Sequence, residues 1–143
     1  PNKAVYVLAR TSNPGAQRFQ GNLVEGEGLA ADVLRAAPEW AGEGHGHCGF
    51  VVGATYPVEL AAARALAPSA NFLIPGIGAQ GGDLAAAVAH GQPLARGATA
   101  DPGPVINAGR SVLYASAGTD FAQAARAATQ ALRDAINDLR HEP

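Results

Sequence analysis

Short apolar runs alternate with segments of helical period along this chain, four times over. Ala4 to Ala9 (AVYVLA), Cys48 to Val52, Asn71 to Ile74 and Val105 to Ala108 are nearly continuous in apolar residues. Short runs without polar alternation predict strands buried on both faces, as in a parallel sheet. A segment with helical spacing follows each run. Leu29 to Ala37 places its leucines and valine on one face, with Pro38 disturbing its end. Pro57 to Leu66 opens with proline in the first turn and carries Glu59 nearby, and Asp83 to Ala89 is short and alanine-rich. In the last segment Phe121, Ala124, Ala125, Ala128, Leu132, Ala135, Ile136 and Leu139 fall on one stripe. Asp120 with Gln123 resembles a capping box at its start. The repeated order strand–helix predicts an α/β fold of four parallel strands with helical crossovers.

The polar residues are as regular as the apolar ones. Thr11, Ser12 and Asn13 follow the first run, Thr55 and Tyr56 the second, Gln80 the third, and Asn107, Arg110 and Ser111 the fourth. Sites on parallel sheets and (β/α) barrels form at the carboxyl ends of the strands, so these loops are expected to converge on one mouth. A complete eight-stranded barrel takes about 250 residues. Four units in 143 residues are therefore about half of one.

Composition narrows the functional classes. A net charge of −2 without a basic cluster argues against a nucleic-acid partner. No apolar run approaches the roughly 18 residues of a membrane helix. A single cysteine, Cys48, excludes an internal disulfide and fits a reducing cytoplasm, and it reads as a small apolar side chain rather than a nucleophile. His45 and His47 stand beside it in a glycine-rich stretch, where exposed histidines are a better reading than metal ligands, and no metal is expected. Methionine is absent even at position 1, which removal of an initiator before Pro1 and a missing upstream segment explain equally.

Candidate chemistry concentrates after the third run. Phe72, Leu73 and Ile74 stop at Pro75, and Gly76, Gly78, Gly81 and Gly82 follow with Gln80 among them before Asp83 opens a helix. A strand leading through glycines into a helix start aims backbone N–H groups at an anion, most simply a phosphate. Gly76, Gly78 and Gly81 also match G-x-G-x-x-G, which keeps a dinucleotide-binding domain as an alternative, with Asp101 20 residues beyond Gly81. That fingerprint belongs on the first strand of its sheet, not the third. Barrels build a recurrent phosphate site from the loops after strands seven and eight and a short extra helix. In a second half-barrel Gln80 and Arg110 would meet there, with the amides of Gly109 and Arg110 beside the guanidinium. A surface ion pair accounts equally well for an arginine at that place alone. Ser12 and Asn13 lie in a strong turn signal, Asn13-Pro14-Gly15, from which the Ser12 hydroxyl can still face the mouth.

Taken together, LARTSNP (Leu8 to Pro14), VVGATYP (Val51 to Pro57), PGIGAQGGD (Pro75 to Asp83) and VINAGRSVLYA (Val105 to Ala115) resemble the orotidine 5′-phosphate decarboxylase family, in the order of its bacterial long-loop subgroup. The resemblance covers essentially the whole chain. It implies that residues 1–143 are strands five to eight, the C-terminal half of one TIM (β/α)8 barrel. It implies a phosphate site of Gln80, Gly109 and Arg110 with the backbone of Gly78 to Gly81, although the subgroup carries serine where Gly109 stands. Ser12 would hydrogen-bond the pyrimidine edge and Pro75 would line the ring pocket. The implied ligands are orotidine 5′-phosphate and UMP, with no metal or organic cofactor, in a cytoplasmic enzyme of pyrimidine biosynthesis that forms a homodimer. The family's Asp-x-Lys-x-x-Asp constellation has no counterpart here. The sole lysine, Lys3, precedes the first strand, so no catalytic residue is expected in this chain and the complementary N-terminal half must supply it. A non-catalytic module binding a phosphate ligand is the other reading that the chain alone supports.

Overall fold

The computed structural model describes residues 3–41, 47–78, 80–94 and 103–141. Its elements run β1 (Ala4–Arg10), α1 (Ala16–Gln20), α2 (Gly28–Ala41), β2 (His47–Val52), α3 (Pro57–Leu66), β3 (Phe72–Pro75), α4 (Leu84–Gly91), β4 (Val105–Asn107), α5 (Arg110–Leu113) and α6 (Phe121–His141). The strands form one sheet in the order β1-β2-β3-β4, each neighbouring pair parallel, as the apolar pattern predicts. Parallel neighbours need a crossover between them, and α2, α3 and α4 supply the three.

One face of the sheet makes the core. Val7, Ala9, Cys48, Phe50, Val52, Phe72, Ile74 and Ile106 pack against Ala30, Ala31 and Leu34 of α2, Leu60 and Ala63 of α3, Ala87 of α4 and Leu132 of α6. Phe50 and Phe72 are register partners and meet edge to face, 6.3 Å between ring centres with 84° between planes. Cys48 is half-buried in this layer, and burial pushes its thiol pKa up, which suits a packing residue and not a nucleophile. A buried charge ties the layer together. The guanidinium of Arg64 lies 3.8 Å from the centre of the Phe72 ring. It donates to the carbonyls of Ala67 at 2.8 Å, Ala70 at 2.7 Å and Gly91 at 2.6 Å. Carbonyls at helix ends lack intrahelical partners, and a cation there is favoured by the dipole, so one arginine satisfies the ends of α3 and α4 together.

The opposite face is open. Alternate residues place Tyr6, Leu8, Val51, Leu73 and Val105 on it. Leu8 is 57% exposed and Val105 46%, while Val51 and Leu73 are half-buried. The expectation of strands buried on both faces is therefore corrected. Helices cover one face, no described residue covers the other, and β1 and β4 are open edges.

Four local expectations change in detail. Helix α2 does not end before Pro38 but continues to Ala41, surviving the loss of one backbone donor. Helices α1 and α5, of five and four residues, are too short to leave a periodic signal. On α6 every member of the predicted stripe from Ala124 to Leu139 is half-buried, but Phe121 is 63% exposed at its start. The Asp120 carboxylate accepts the Ser116 hydroxyl at 2.6 Å, so the turn before α6 draws on a residue upstream of the expected box.

Burial predicts how unevenly the two faces contribute to stability. Phe72→Ala removes a fully buried ring and the platform under Arg64, and should cost about 3–5 kcal/mol in urea unfolding of the chain. Leu8→Ala, on the open face, should change the same measurement by about 0.5 kcal/mol or less.

Candidate functional site

Parallel pairing brings the loops after all four strands to one end of the sheet. The loop after β3 reverses direction through residues of positive φ, Gly76 (106°), Gly78 (83°) and Gly81 (73°). It closes on itself by Gly81 N–H donating to the Gly78 carbonyl at 2.9 Å and Gly82 N–H to the Gly76 carbonyl at 3.0 Å. Ala54 N–H donates to the Pro75 carbonyl at 2.9 Å, which ties this loop to the one after β2. A Cβ at Gly78 would lie 2.8 Å from Ser111 Oγ and 3.0 Å from Ser111 Cβ, so the loop abuts the first turn of α5. Glycine is required there for two reasons, backbone conformation and close approach.

Between these loops lies a cleft of about 230 Å³, lined by Pro75, Gly76, Ile77, Gln80, Asn107, Gly109 and Arg110. Four of the residues singled out in the sequence, Pro75, Gln80, Gly109 and Arg110, are thus brought together. Gly78 stands behind them through its contact with Ser111, and Gly81 sits at the exposed tip with open space where its Cβ would be. Asn107 joins the set. It is the register partner of Pro75, and the one polar residue closing an otherwise apolar strand was the available signal.

Helices α4 and α5 both start at this end of the sheet, and the short one after β4 lines the cleft. The Asp83 carboxylate caps α4, accepting from Ala86 N–H at 2.9 Å. A negative charge already occupies that N-terminus. Helix α5 begins in the cleft wall at Arg110, and Gly109 supplies no side chain to cap it. The helix start left without a side-chain cap at the cleft is therefore the short one after β4.

Ser12 lies at the same end of the sheet but not in this cleft, two strands away after β1. Its amide nitrogen is 3.9 Å from the point a Cβ on Gly53 would occupy, and Thr55 Oγ1, buried without a partner among the described residues, is 3.8 Å from that point. The loops after β1 and β2 thus form a second polar wall of the mouth. Lys3, His47 and His90 stand elsewhere. Lys3 precedes β1 and His47 opens β2, at the opposite end of the strands, and seven residues of β1 span about 20 Å. His90 lies near the end of α4, its carbonyl held by Arg64 at the core side. His45 and Asp101 fall outside the described residues, and no group of three or more metal-ligating side chains occurs among those described. No helix there is long and apolar enough to cross a membrane.

Four consecutive parallel strands, each followed by a helix, with the polar loops at one end, make half of a TIM (β/α)8 barrel. The family model for orotidine 5′-phosphate decarboxylase / HUMPS matches residues 1–128, and the chain belongs to that family. It is 50% identical over 141 residues to the orotidine 5′-phosphate decarboxylase of Azoarcus sp. (strain BH72), a match covering 98% of this chain and 50% of that protein. With the corresponding protein of Leptothrix cholodnii it shares 49% identity, over 95% of this chain and 49% of the other. Among solved structures, Leishmania donovani OMP decarboxylase superposes with a TM-score of 0.74 at 38% identity, covering 99% of this chain and 49% of that one. Leishmania donovani UMP synthase gives 0.73 at 40% identity over 96% of this chain and 28% of its own. The chain spans about half the length of the curated relatives it matches.

Two glycines separate packing from backbone strain in this loop. Gly78→Ala meets both positive φ and Ser111, whereas Gly81→Ala meets only the φ. In titration with inorganic phosphate, Gly78→Ala should weaken binding by about tenfold or more, and Gly81→Ala by about threefold or less.

Proposed function

We propose that this chain is the C-terminal half, strands five to eight, of an orotidine 5′-phosphate decarboxylase, and that it grips the 5′-phosphate and part of the pyrimidine. The observation that carries this reading is the cleft in which Gln80, Gly109, Arg110 and Pro75 converge at the strands' carboxyl ends, in a chain of this family. Arg110 offers a planar fork of N–H donors matched to phosphate oxygens. The amides that open α5 add partial positive charge at the same place. Gln80 closes the anion from the loop after β3, and the backbone from Gly78 to Gly81 gives it room. Pro75, beside Asn107, bounds the ring side of the cleft. Ser12, on the second wall of the mouth, hydrogen-bonds the pyrimidine edge.

In the family's reaction the bond from C6 to the carboxylate breaks, carbon dioxide leaves, and the electron pair left on C6 takes a proton from a lysine. That lysine and its paired aspartates belong to the complementary half of the barrel. The placement of Lys3, His47 and the end of α4 away from the mouth supports this division, since a proton donor must reach the reacting atom at hydrogen-bond distance. The open apolar face and two open edges support the same conclusion. They are the surfaces the other half covers, in a complete barrel that functions as a homodimer.

Two measurements test this reading. In the assembled barrel Arg110→Ala removes a charge-assisted contact of roughly 1.5–3 kcal/mol and should weaken UMP binding by about tenfold to a hundredfold. Equal affinity would make this arginine a surface residue. The 143-residue chain alone should not consume orotidine 5′-phosphate at an enzymatic rate, followed by loss of substrate absorbance, and the complementary half should restore turnover. Phosphate binding that stabilises ground and transition states alike accelerates nothing. Turnover by the chain alone would place a proton donor within it and overturn the division.

A further inference from the structure

Arg10 is the largest fully buried side chain among the described residues, and it belongs to neither wall of the phosphate cleft. A register shift puts it there. Leu8 pairs with Val51 and Arg10 with Val52, so Ala9 is an extra residue on β1. Simple alternation would put Arg10 on the open face with Tyr6 and Leu8, whereas the bulge turns it inward, leaving it 1% exposed. Its guanidinium donates through Nη1 to the Thr11 carbonyl at 2.7 Å, and through Nη2 to Gln17 Oε1 at 3.0 Å and Glu59 Oε1 at 3.2 Å. Nε donates to Glu59 Oε2, and the guanidinium carbon lies 4.6 Å from the centre of the Tyr56 ring. Thr11 is held from its other side, its N–H donating to Gln20 Oε1 at 2.8 Å and its hydroxyl to the same oxygen at 3.1 Å. The Thr11 hydroxyl also donates to Asn13 Oδ1. Thr11, just before Ser12, is thus held by a partly buried ion pair that reaches from the end of β1 to the first turn of α3, and its hydroxyl in turn holds Asn13, just after Ser12.

We infer that Arg10, with Glu59 as its counter-ion, is the positioning residue that presents Ser12 to the base of the ligand. This rests on the reading of the mouth proposed above. Arg10 touches no ligand and acts through the Thr11 carbonyl, so it governs recognition of the base and leaves the phosphate grip untouched. The grip is built from β3, β4 and α5, none of which supplies a partner to Arg10. Lysine cannot replace it, because a point charge cannot serve Thr11, Gln17 and both Glu59 oxygens in one plane.

The test compares two ligands in the barrel assembled with its complementary half: UMP, which has the base, and ribose 5-phosphate, which lacks it. Arg10→Lys and Glu59→Gln should each weaken UMP by about tenfold or more while ribose 5-phosphate stays within about twofold. Hydrogen exchange at the amides of Thr11 and Ser12 should rise with no change in the amides of β2 and β3. Should these variants fail to fold, Gln20→Ala frees the Thr11 N–H and keeps the buried charge paired, with the same split expected. Equal losses for both ligands would show general destabilisation and overturn the proposal. So would unchanged UMP affinity over a loosened loop. Wild-type protein that binds ribose 5-phosphate no more weakly than UMP would instead overturn base recognition at this mouth, and the role of Arg10 with it.

Discussion

Parallel pairing of four strands in chain order is the constraint on which the rest of this structure depends. It forces a crossover between each pair, which is why helices alternate with strands, and it sends every strand's carboxyl end the same way. The loops that can carry chemistry are thereby collected at one mouth without any loop being long. The same pairing leaves β1 and β4 with unpaired edges, since parallel strands in sequence order have no means of returning to close the sheet within four units. A barrel abolishes edges and half of one cannot. Burial follows from this, with the helix-covered face packed and the other exposing Leu8 and Val105.

Within that frame, electrostatics selects among equivalent pieces of backbone. Both α4 and α5 start at the mouth, and each N-terminus presents backbone N–H groups that lack intrahelical partners. Asp83 neutralises one from within the chain, and Gly109 leaves the other without a side-chain cap. In the phosphate site proposed above, the glycine-rich loop is thus only half, the other half being a helix end that the chain has not already capped. Arg64 and Arg10 divide the buried charges in a similar way. Arg64 satisfies carbonyls at the core end of α3 and α4, where helices terminate, and Arg10 satisfies groups at the mouth end, where a loop must be held in place.

The architecture was legible because it is written in periods. Short apolar runs gave the strands and their parallel pairing, and a seven-residue stripe from Ala124 to Leu139 gave the buried side of α6. The residues lining the cleft were legible from motif order, since Pro75 ends β3, Gln80 lies in the loop after it, and Gly109 and Arg110 come just after β4. Illegible features were those without a period. The bulge at Ala9 has no sequence mark, and it alone makes Arg10 a buried residue. Arg64 lies in a helix where an arginine ordinarily faces water, and only the tertiary arrangement of four carbonyls makes its burial favourable. Helix α5 spans a single turn, too short for hydrophobic spacing to show, although it supplies the uncapped N-terminus at the cleft.

The proposed division between a gripping half and a reacting half has a physical rationale in how far apart their tasks lie. A phosphate remote from the reacting carbon contributes to catalysis only when its binding energy is spent on positioning or closure at the other end of the substrate. Rigid backbone around the anion serves that purpose better than mobile side chains. Here three glycines, a strand-to-loop hydrogen bond and an abutting helix fix the loop, and one exposed arginine supplies the charge. Proton transfer makes the opposite demand, a side chain whose acidity is tuned by close charged neighbours. The cleft and the loop after β1 offer Gln80, Asn107 and Ser12, whose side chains hydrogen-bond without carrying charge, beside the Arg110 guanidinium. Such a surface is suited to holding and orienting a ligand.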